Sequence, residues 1–586
     1  HIATLATKHK INEHFQIPIH YHDKKRTLDD SLLTDLELIE PTNEDDVSIY
    51  NHIFSPSSIA STEIVKQIAK TYTPDTTFLK QTQKFIKSIK STDINNIHER
   101  HGNYEYSDMD KMIETWEEIT EDSGFCEKYL YIDWEFGKML NNNPLFLQLM
   151  GLYNIISPIM SLCIPIIVLI MPFFIIKFSG ATLNINEYIN ILKNIISTHA
   201  ITRMFTDFNN VDPGQKVYIL LSAAFYVFSI YQNILICLRF YANMKKIHNY
   251  LHEFKTYIPR TIEKMKYYHS KAVKLSHYTE FAHALNEKIE TLEQFMIPLN
   301  KILIIPNYTP SFSTITNLGQ IMHTFYQIYD NTEFKHAMLY SFGFNGYDNI
   351  LFNINANIKS KEFHKTKYTK KGKSELTNMY YPKFINTGNR IENNCNLSKN
   401  IIITGPNASG KTTILKTAMI NAILSQQIGY GCFSSFKLTP YDFFHSYLNI
   451  PDTSGRDSLF QAEARRCKDI IESVDDVNNA NKSHFCIFDE LFSGTNPDEA
   501  IKSAGAFMEY ISKKNNVSCL LTTHYIEVCE KFVKSDTIVN YHMDTNKNDN
   551  EEFQYTYKLK SGISTLKGGV AILKKMNYPA EILDNA

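Results

Sequence analysis

A glycine-rich segment that ends in a lysine and two threonines carries the clearest chemical signal in this sequence. It reads Gly405, Pro406, Asn407, Ala408, Ser409, Gly410, Lys411, Thr412, Thr413 and follows the β-branched run Ile401–Ile403. This spacing fits G-x-x-x-x-G-K-[ST], a loop whose backbone N–H groups surround phosphates at the start of a helix. In such a loop Lys411 reaches the β- and γ-phosphates, and Thr412 supplies an oxygen to Mg²⁺. The segment predicts a binding site for a nucleoside triphosphate.

Two further apolar runs end in polar residues that a hydrolytic site needs. His484–Phe488 has the composition of a buried parallel strand, and Asp489 and Glu490 follow it directly. We expect Asp489 to hold Mg²⁺ through water and Glu490 to orient and deprotonate the attacking water. Ser518–Thr523 leads into His524, which we interpret as a γ-phosphate sensor at the carboxyl edge of the same sheet. Each feature alone has a structural alternative, but their order along the chain favours a catalytic site.

Further motifs resemble those of one family. They are Thr404–Thr413, Ser458–Glu463, Asp489–Glu490 with Gly494 and Thr495, Thr522–Tyr525, Val539–Met543 and Tyr557–Ala571. Together they resemble the ATPase domain of the MutS family over roughly residues 378–584. Thr27–Leu38 is more weakly similar to the start of the MutS core domain. The resemblance implies an α/β P-loop ATPase of ABC type, with ATP and Mg²⁺ as cofactors.

The resemblance also implies a dimer in which each site is completed by the other protomer. By that carry-over, Ser458 approaches the γ-phosphate held by the partner's Gly405–Thr413 loop. The partner is a second copy or a MutS-like relative. Tyr380 or Tyr381, before Pro382, falls where the family has an aromatic residue, and we select Tyr381 to stack on adenine. Ordinary core packing is the alternative role for these tyrosines.

Two stretches without charged residues occupy the middle of the chain, at Asn141–Ile176 and Val217–Leu238. Each exceeds the roughly 20 residues that cross a bilayer core. Prolines in the first stretch are tolerated in membrane helices, where other groups satisfy the freed carbonyls. We predict a transmembrane hairpin with spans at about 150–176 and 217–238. Two buried core helices, or a kinked or re-entrant first element, are the alternatives.

Basic residues predict the orientation of this hairpin. Arg239, Lys245, Lys246 and Lys255 follow the second stretch, whereas the segment between the stretches is nearly balanced in charge. The excess of Lys and Arg places the residues after Leu238 on the cytoplasmic side. We therefore expect a membrane-anchored protein with two spans, lipid as a partner, and both termini and the ATPase domain in the cytoplasm.

The resulting fold class is multidomain, with a C-terminal α/β P-loop ATPase domain, an α-helical lever or core domain and a two-helix transmembrane hairpin. The predicted order is a soluble, mostly helical segment at 1–140, the hairpin at 141–243, a helical lever at 244–375 and the ATPase domain at 376–586. Exposed loops are expected at the lysine-rich Asn357–Ser374 and at Asp544–Glu552. Nine scattered cysteines without a CxxC pair indicate reduced thiols.

Three functional classes compete at this point. The preferred one is a membrane-anchored MutS-family ATPase, a dimeric switch related to DNA mismatch repair. The second is a soluble mismatch repair protein whose apolar stretches are core helices, and the third is half of an ABC transporter. DNA is a candidate partner, although the net charge of −2 gives no global attraction to nucleic acid. No mismatch-reading domain of the family is recognised before Thr27, and because the sequence begins with His rather than Met, a longer N-terminus is the alternative.

Overall fold

The computed structural model describes residues 10–43, 45–102, 106, 108–180, 185–198, 212–305, 308–370, 374–448, 450, 458–547, 553–564, 578–579 and 581. The chain forms two compact units. Unit 1 comprises residues 1–111, 263–289 and 338–586, and unit 2 comprises residues 112–262 and 290–337. The units are thus assembled from alternating segments, which differs from the consecutive domains that the sequence suggested.

Helices dominate the first two thirds of the chain. In chain order the principal ones are α1 (Asp30–Asp35), α2 (Ile49–Phe54), α3 (Ile59–Lys70), α4 (Thr76–Ser88), α5 (Ser91–Arg100), α6 (Asp108–Thr120), α7 (Phe125–Tyr129), α8 (Pro144–Phe178), α9 (Ile185–Thr198), α10 (Pro213–Ala272), α11 (Thr279–Lys301), α12 (Phe312–Thr316), α13 (Leu318–Asp330), α14 (Thr332–Lys359), α15 (Lys411–Gln427), α16 (Leu459–Asp475), α17 (Pro497–Ser512) and α18 (Ile526–Lys531). Helix α10 runs without interruption through residue 243, where the sequence placed the end of the hairpin.

Strands are concentrated after residue 360. They are β1 (Arg26–Thr27), β2 (Thr71–Tyr72), β3 (His364–Tyr368), β4 (Glu375–Met379), β5 (Asn393–Asn396), β6 (Asn400–Thr404), β7 (Tyr430–Gly431), β8 (Ser435–Leu438), β9 (Phe443–Tyr447), β10 (His484–Asp489), β11 (Val517–Thr523), β12 (Ile538–Lys547) and β13 (Phe553–Ser561). A six-stranded sheet has the order β13-β12-β6-β11-β10-β9, and a five-stranded sheet has the order β5-β4-β8-β3-β7. The C-terminal region is therefore α/β, as expected.

The six-stranded sheet brings the predicted site residues to one edge. Its strands are parallel except β13, which forms an antiparallel hairpin with β12. Buried apolar side chains such as Ile402, Phe488 and Leu521 fill its faces, which explains the near-continuous apolar runs in the sequence. Because β6, β10 and β11 are parallel neighbours, their carboxyl ends lie side by side at the same edge.

Two loop predictions in this region are wrong. The lysine-rich segment contains strand β3, in which Thr366 is buried and its hydroxyl donates to the Ser425 hydroxyl at 2.8 Å, while Lys365 and Lys367 are exposed. This alternation is the period of a half-buried strand, but lysines at the exposed positions made it look like a loop. Likewise β12 continues to Lys547, which pairs with Phe553 of β13. Residues 548–552 of that predicted loop lie outside the described residues.

The N-terminal segment of unit 1 packs against helix α15, which is buried on nearly all sides. Gln427 near the end of α15 accepts a hydrogen bond from the Tyr50 hydroxyl at 2.5 Å and donates to the carbonyl of Ile68 at 2.7 Å. Gln426 donates to the carbonyl of Tyr441 at 2.8 Å. These buried amides are paired, so a polar helix end can lie in the interior without a large desolvation cost.

Unit 2 is helical and has an aromatic core. The rings of Phe295 and Phe334 stack with centroids 3.8 Å apart, and Phe334 also contacts Trp116. The rings of Phe125 and Tyr329 stack at 4.0 Å. Such aromatic pairs contribute about 0.5–1.5 kcal/mol each beyond the area they bury.

The two uncharged stretches lie in helix α8 and in the part of helix α10 that belongs to unit 2. By length and composition, Pro144–Ile164 and Pro213–Ala272 are the segments of the described chain that could cross a membrane. Only 28% and 11% of their most apolar windows are buried. The exposed side chains are therefore largely apolar, the reverse of a water-facing surface. Between them, α9 was not anticipated, because its apolar residues were read as part of a connecting segment.

Candidate functional site

The predicted phosphate loop lies between the end of β6 and the start of α15. Gly410 adopts φ +92°, in the left-handed region, and directly precedes the first residue of the helix. A Cβ at Gly410 would come 3.1 Å from the ring of Tyr557, so both backbone conformation and space favour glycine. Ala408 has φ +62°, which is unusual for a residue with a Cβ. The loop thus holds a compact turn at a helix N-terminus, where N–H groups and the helix dipole favour anions.

Lys411 is buried at the base of this loop. Its Nζ donates to the carbonyl oxygens of Gly405 at 2.9 Å and Pro406 at 3.2 Å, and lies 3.6 Å from Oε1 of Glu490. Burial lowers the pKa of Lys411, whereas the carboxylates of Glu490 and Asp489 act in the opposite direction. The ammonium is therefore held by two neutral carbonyls and a nearby carboxylate, a set that a phosphate could replace or join.

Asp489 connects the phosphate loop to the neighbouring strands. Its Oδ2 accepts from the Thr412 hydroxyl at 2.7 Å, and its Oδ1 accepts from the Thr522 hydroxyl. Asp489 and Thr522 face each other in the β10–β11 register. The structure therefore places Thr412 and Asp489, the two residues expected to bind Mg²⁺, in direct contact. Thr522 was not predicted for this role, although its position two residues before His524 could have suggested it.

Glu490 follows in a strained conformation. Its φ is +52°, and its N–H donates to the Thr522 carbonyl at 3.0 Å. Nδ1 of His524 lies 3.6 Å from Oε1 of Glu490. Interaction with the His524 imidazole, followed by that with the Lys411 ammonium, lowers the pKa of Glu490 despite partial burial. The carboxylate is thus ionised at neutral pH and can accept a proton.

A cavity of about 700 Å³ joins these groups. Asn407, Ala408, Gly410, Lys411, Thr412, Thr413, Asp489 and Glu490 line one part, and Tyr380, Tyr381, Phe384, Asn389, Ile391, Asn393 and Tyr557 are among the residues lining the remainder. The Tyr380 hydroxyl donates to Glu362, whereas the Tyr381 ring packs edge-on against Phe384. A cavity lined both by an anion-binding loop and by aromatic side chains suits the phosphates and the base of a nucleotide. Sequence reasoning did not select Phe384 and Asn393, which lie in no phosphate-binding motif, or Tyr557, which comes from the distant strand β13.

The donor set can be tested for its fit to a triphosphate with Mg²⁺. Ser409, inside the loop, has a buried hydroxyl without a hydrogen-bond partner among the described residues. Buried polar groups normally have partners, so this oxygen fits a bound phosphate. The ammonium of Lys411 fits the negative charge of the phosphates, and the paired oxygens of Thr412 and Asp489 fit Mg²⁺.

Comparison with known proteins gives a consistent result for this region. The family model of MutS domain V matches residues 401–586. The DNA mismatch repair protein MutS of Persephonella marina is 28% identical over 200 residues, which are 33% of this chain and 22% of that protein. MutS of Staphylococcus saprophyticus is 27% identical over 218 residues, 36% of this chain and 24% of that protein. The C-terminal region of this chain belongs to the MutS family.

The resemblance inferred from the motifs is therefore confirmed for this region. The match to MutS of Aquifex pyrophilus covers 185 residues, 32% of this chain and 21% of that protein, at 28% identity. The chain thus spans about a fifth to a quarter of the length of these relatives. We call the matched region domain V below.

In domain V, Ser458 caps helix α16. Its hydroxyl accepts from the N–H of Gln461 at 3.3 Å, and the Gln461 side chain accepts in return from the Ser458 N–H at 2.9 Å. Ser458 is exposed and does not line the cavity of its own chain as far as the described residues show. Residues 451–457 before it lie outside the described residues.

The start of α16 is fixed to the segment that follows the carboxylate pair. The buried Glu463 accepts from the Ser493 hydroxyl at 3.0 Å and from the Gly494 N–H at 3.1 Å. A Cβ at Gly494 would come within 2.8 Å of Leu459. The family motifs around Glu463 and Gly494 therefore meet within one chain, while Gly568–Ala571 of the last motif lies outside the described residues.

Proposed function

We propose that this chain is a MutS-type ATPase that binds ATP with Mg²⁺ and hydrolyses the γ-phosphate. The observation that carries the proposal is the convergence of Lys411, the Thr412–Asp489 pair and Glu490 on one cavity. His524 adjoins this set, with its Nδ1 3.6 Å from Oε1 of Glu490. Mg²⁺ would supply charge neutralisation for the phosphates. Lys411 would hold the phosphates, Thr412 and Asp489 would hold the metal, and Glu490 would take a proton from water.

Nucleotide binding by the detergent-solubilised full chain tests this proposal. We expect Lys411→Ala to lose most ATP binding, since it removes the buried cation. Lys399→Ala, which changes an exposed lysine just before β6, is the matched control. Equal ATP affinity in wild type and the Lys411 variant would contradict the assignment of the loop.

We further propose that two protomers build composite sites. The support is the exposed N-terminus of α16, where Ser458 is available to a second molecule. Lys411→Ala and Ser458→Arg protomers, each inactive alone, should recover hydrolysis when mixed, because one intact site forms per heterodimer. Background activity in mixtures that do contain heterodimers would exclude a role for Ser458 across the interface.

A role related to DNA mismatch repair is proposed from the family. The relatives compared above are named DNA mismatch repair proteins, but the match covers only domain V. Binding of the purified protein to paired and mismatched duplexes, with and without ATP, separates a DNA-acting protein from an ATPase that acts elsewhere. We expect duplex binding that responds to ATP.

Membrane anchoring through α8 and α10 completes the proposal. Asn154, Ser157 and Ser161 are buried on one side of α8, while apolar residues of both helices are exposed. Asn233 and Tyr226 of α10 donate to the Ser161 hydroxyl at 2.6 Å and the Ser161 carbonyl at 2.9 Å. Polar contacts between helices with apolar outer surfaces suit a lipid environment. Carbonate extraction of membranes should leave the protein in the pellet; its release would favour the soluble alternative.

A further inference from the structure

Two acidic residues near the N-terminus, separated by Leu36, contact α15, which begins at the phosphate loop, and α16, which begins after Ser458. Asp35 is the last residue of α1, and Glu37 follows two residues later, after Leu36. We call Asp35–Glu37 the strap. It belongs to Thr27–Leu38, the segment that the sequence singled out but that the proposed mechanism does not use.

Glu37 binds the helix that begins at the phosphate loop. Its Oε1 accepts from Nζ of Lys416 in α15 at 2.8 Å, and the Lys416 side chain is only 10% exposed. The Lys416 ammonium lowers the pKa of Glu37 against the effect of burial. Because Lys416 is five residues after Lys411 on the same rigid helix, a shift of Glu37 would be felt at the phosphate loop.

Asp35 binds the helix that Ser458 begins. Its Oδ2 accepts from the Ser446 hydroxyl at 2.6 Å and lies 3.5 Å from a guanidinium nitrogen of Arg466 in α16. Arg466 Nε also donates to the Ser446 carbonyl at 3.0 Å. The carboxylate of Asp35 is 12% exposed, so this network is largely shielded from solvent.

The backbone of the strap explains how neighbouring side chains reach different helices. Glu37 has φ +53°, a left-handed conformation that costs free energy in a residue with a Cβ. Its N–H donates to the Thr34 carbonyl at 3.0 Å, and its own carbonyl accepts from Ile49 at 3.0 Å. Leu36 and Leu38 on either side are fully buried. Packing and hydrogen bonds therefore hold the strained turn in place.

We propose that the strap is a positioning device that sets the separation of α15 and α16 within one protomer. This inference rests on the proposed ATPase function with composite sites. The phosphate loop precedes α15, and Ser458 at the start of α16 faces the partner. The separation of the two helices therefore decides whether one protomer can place its phosphate loop and its Ser458 in the two sites of a dimer at the same time. Asp35 and Glu37 are positioning residues that do not touch nucleotide.

The test uses Glu37→Gln and Asp35→Asn in the full-length protein, since both variants keep side-chain size. Arg26→Gln is the matched control, because it removes an ion pair of 3.0 Å between the same N-terminal segment and Asp442, which lies on neither helix. Hydrogen exchange of peptides from α15 and α16, measured without nucleotide, reports on the contacts of the strap with these helices. Steady-state kinetics report on turnover.

We expect faster exchange in both helices and a kcat about tenfold lower, since small misplacements of reacting groups are costly. KM for ATP should change less than threefold, because the contacts of each phosphate loop remain. Exchanging the charges, with Glu37→Lys and Lys416→Glu together, should restore much of the lost kcat. A purely structural role would instead lower the amount of folded protein without this rescue.

Unchanged exchange and unchanged kcat in the strap variants would overturn the inference, as would equal effects in Arg26→Gln. Failure of the proposed function is recognised separately, because wild-type protein would then fail to bind Mg-ATP. In that case the exchange measurements still decide whether the strap ties the two helices.

Discussion

Domain V and the α8–α10 helix pair place polar and apolar groups in opposite ways. In domain V, Ile402 and Phe488 are fully buried, whereas charged side chains such as Lys468 and Glu472 are exposed. In the helix pair, Asn154 and Ser161 are buried, while residues such as Ile170 are exposed. The first arrangement is stabilised by removing apolar surface from water. The helix pair, with apolar side chains outside, would gain no such stabilisation in water. Its arrangement is the one expected where the surroundings are lipid.

The largest expected effect comes from placing charge on the apolar outer surface of α8. Ile167 and Ile170 are 39% and 45% exposed. Changing both to Arg should add about 6 kcal/mol to the free energy of membrane insertion on insertion scales. Carbonate extraction should then release the protein or find it degraded. A change of both residues to Leu is the control. If the Arg variant stayed in the membrane pellet, the apolar surface of α8 would not be facing lipid, and the contrast with domain V would fail.

The next effect concerns the ionised carboxylate of domain V. Glu490→Gln should reduce ATP hydrolysis by about 10³-fold, because it removes the proposed general base. ATP binding should persist, since Lys411 and the phosphate loop are unchanged. Single-turnover kinetics measure the chemical step, and Glu472→Gln, at an exposed position of α16, is the control. Wild-type turnover in the Glu490 variant would place the base elsewhere.

Acid should weaken domain V but not the helix pair. His484 on β10 and His445 on β9 lie side by side, with Nδ1 and Nε2 3.0 Å apart, and burial lowers the pKa of His484 to about 4 and that of His445 to about 3. The neutral imidazoles are favoured in the folded state, and the unfolded chain binds protons first. The stabilisation is therefore complete above about pH 6.5 and is lost as pH falls toward 4.

For His484 alone, the loss is on the order of 3 kcal/mol. Hydrogen exchange of the β9 and β10 peptides should accelerate between pH 6.5 and 4 beyond its intrinsic dependence, while membrane retention stays constant. His484→Gln should flatten this profile, whereas the exposed His283→Gln should not. A wild-type profile that is already flat would show that the histidine pair does not contribute.

The smallest effect compares the buried amide of Asn421 in domain V with the half-buried amide of Asn233 in the helix pair. Asn421 in α15 accepts from the Cys432 N–H at 2.7 Å, so Asn421→Leu should cost about 1–3 kcal/mol by leaving that N–H buried without a partner. Asn233→Leu in α10 should cost only about 0.6 kcal/mol, since polar contacts in a membrane contribute little on average. Thermal unfolding in detergent measures both, and equal costs would indicate that the two interiors resemble each other.

Much of domain V could be predicted because its signals are local. The order of strand, loop, Lys411 and helix is written in consecutive residues, and so is Asp489–Glu490 at the end of β10. The Asp489–Thr522 contact depended on strand register, and Tyr557 reached the cavity only through the β12–β13 hairpin. Strand β3 was missed because its period of two was carried by one buried threonine between lysines.

The sequence by itself determined the phosphate-binding chemistry, the family of domain V and the two long uncharged stretches, because each depends on residue type and spacing within a short segment. Tertiary structure alone decided which side of α8 its few polar residues face, how Glu490 meets His524, and that Asp35 and Glu37 reach two different helices. These features join residues that are far apart in the chain. Their contacts follow from packing and register, which local spacing does not specify.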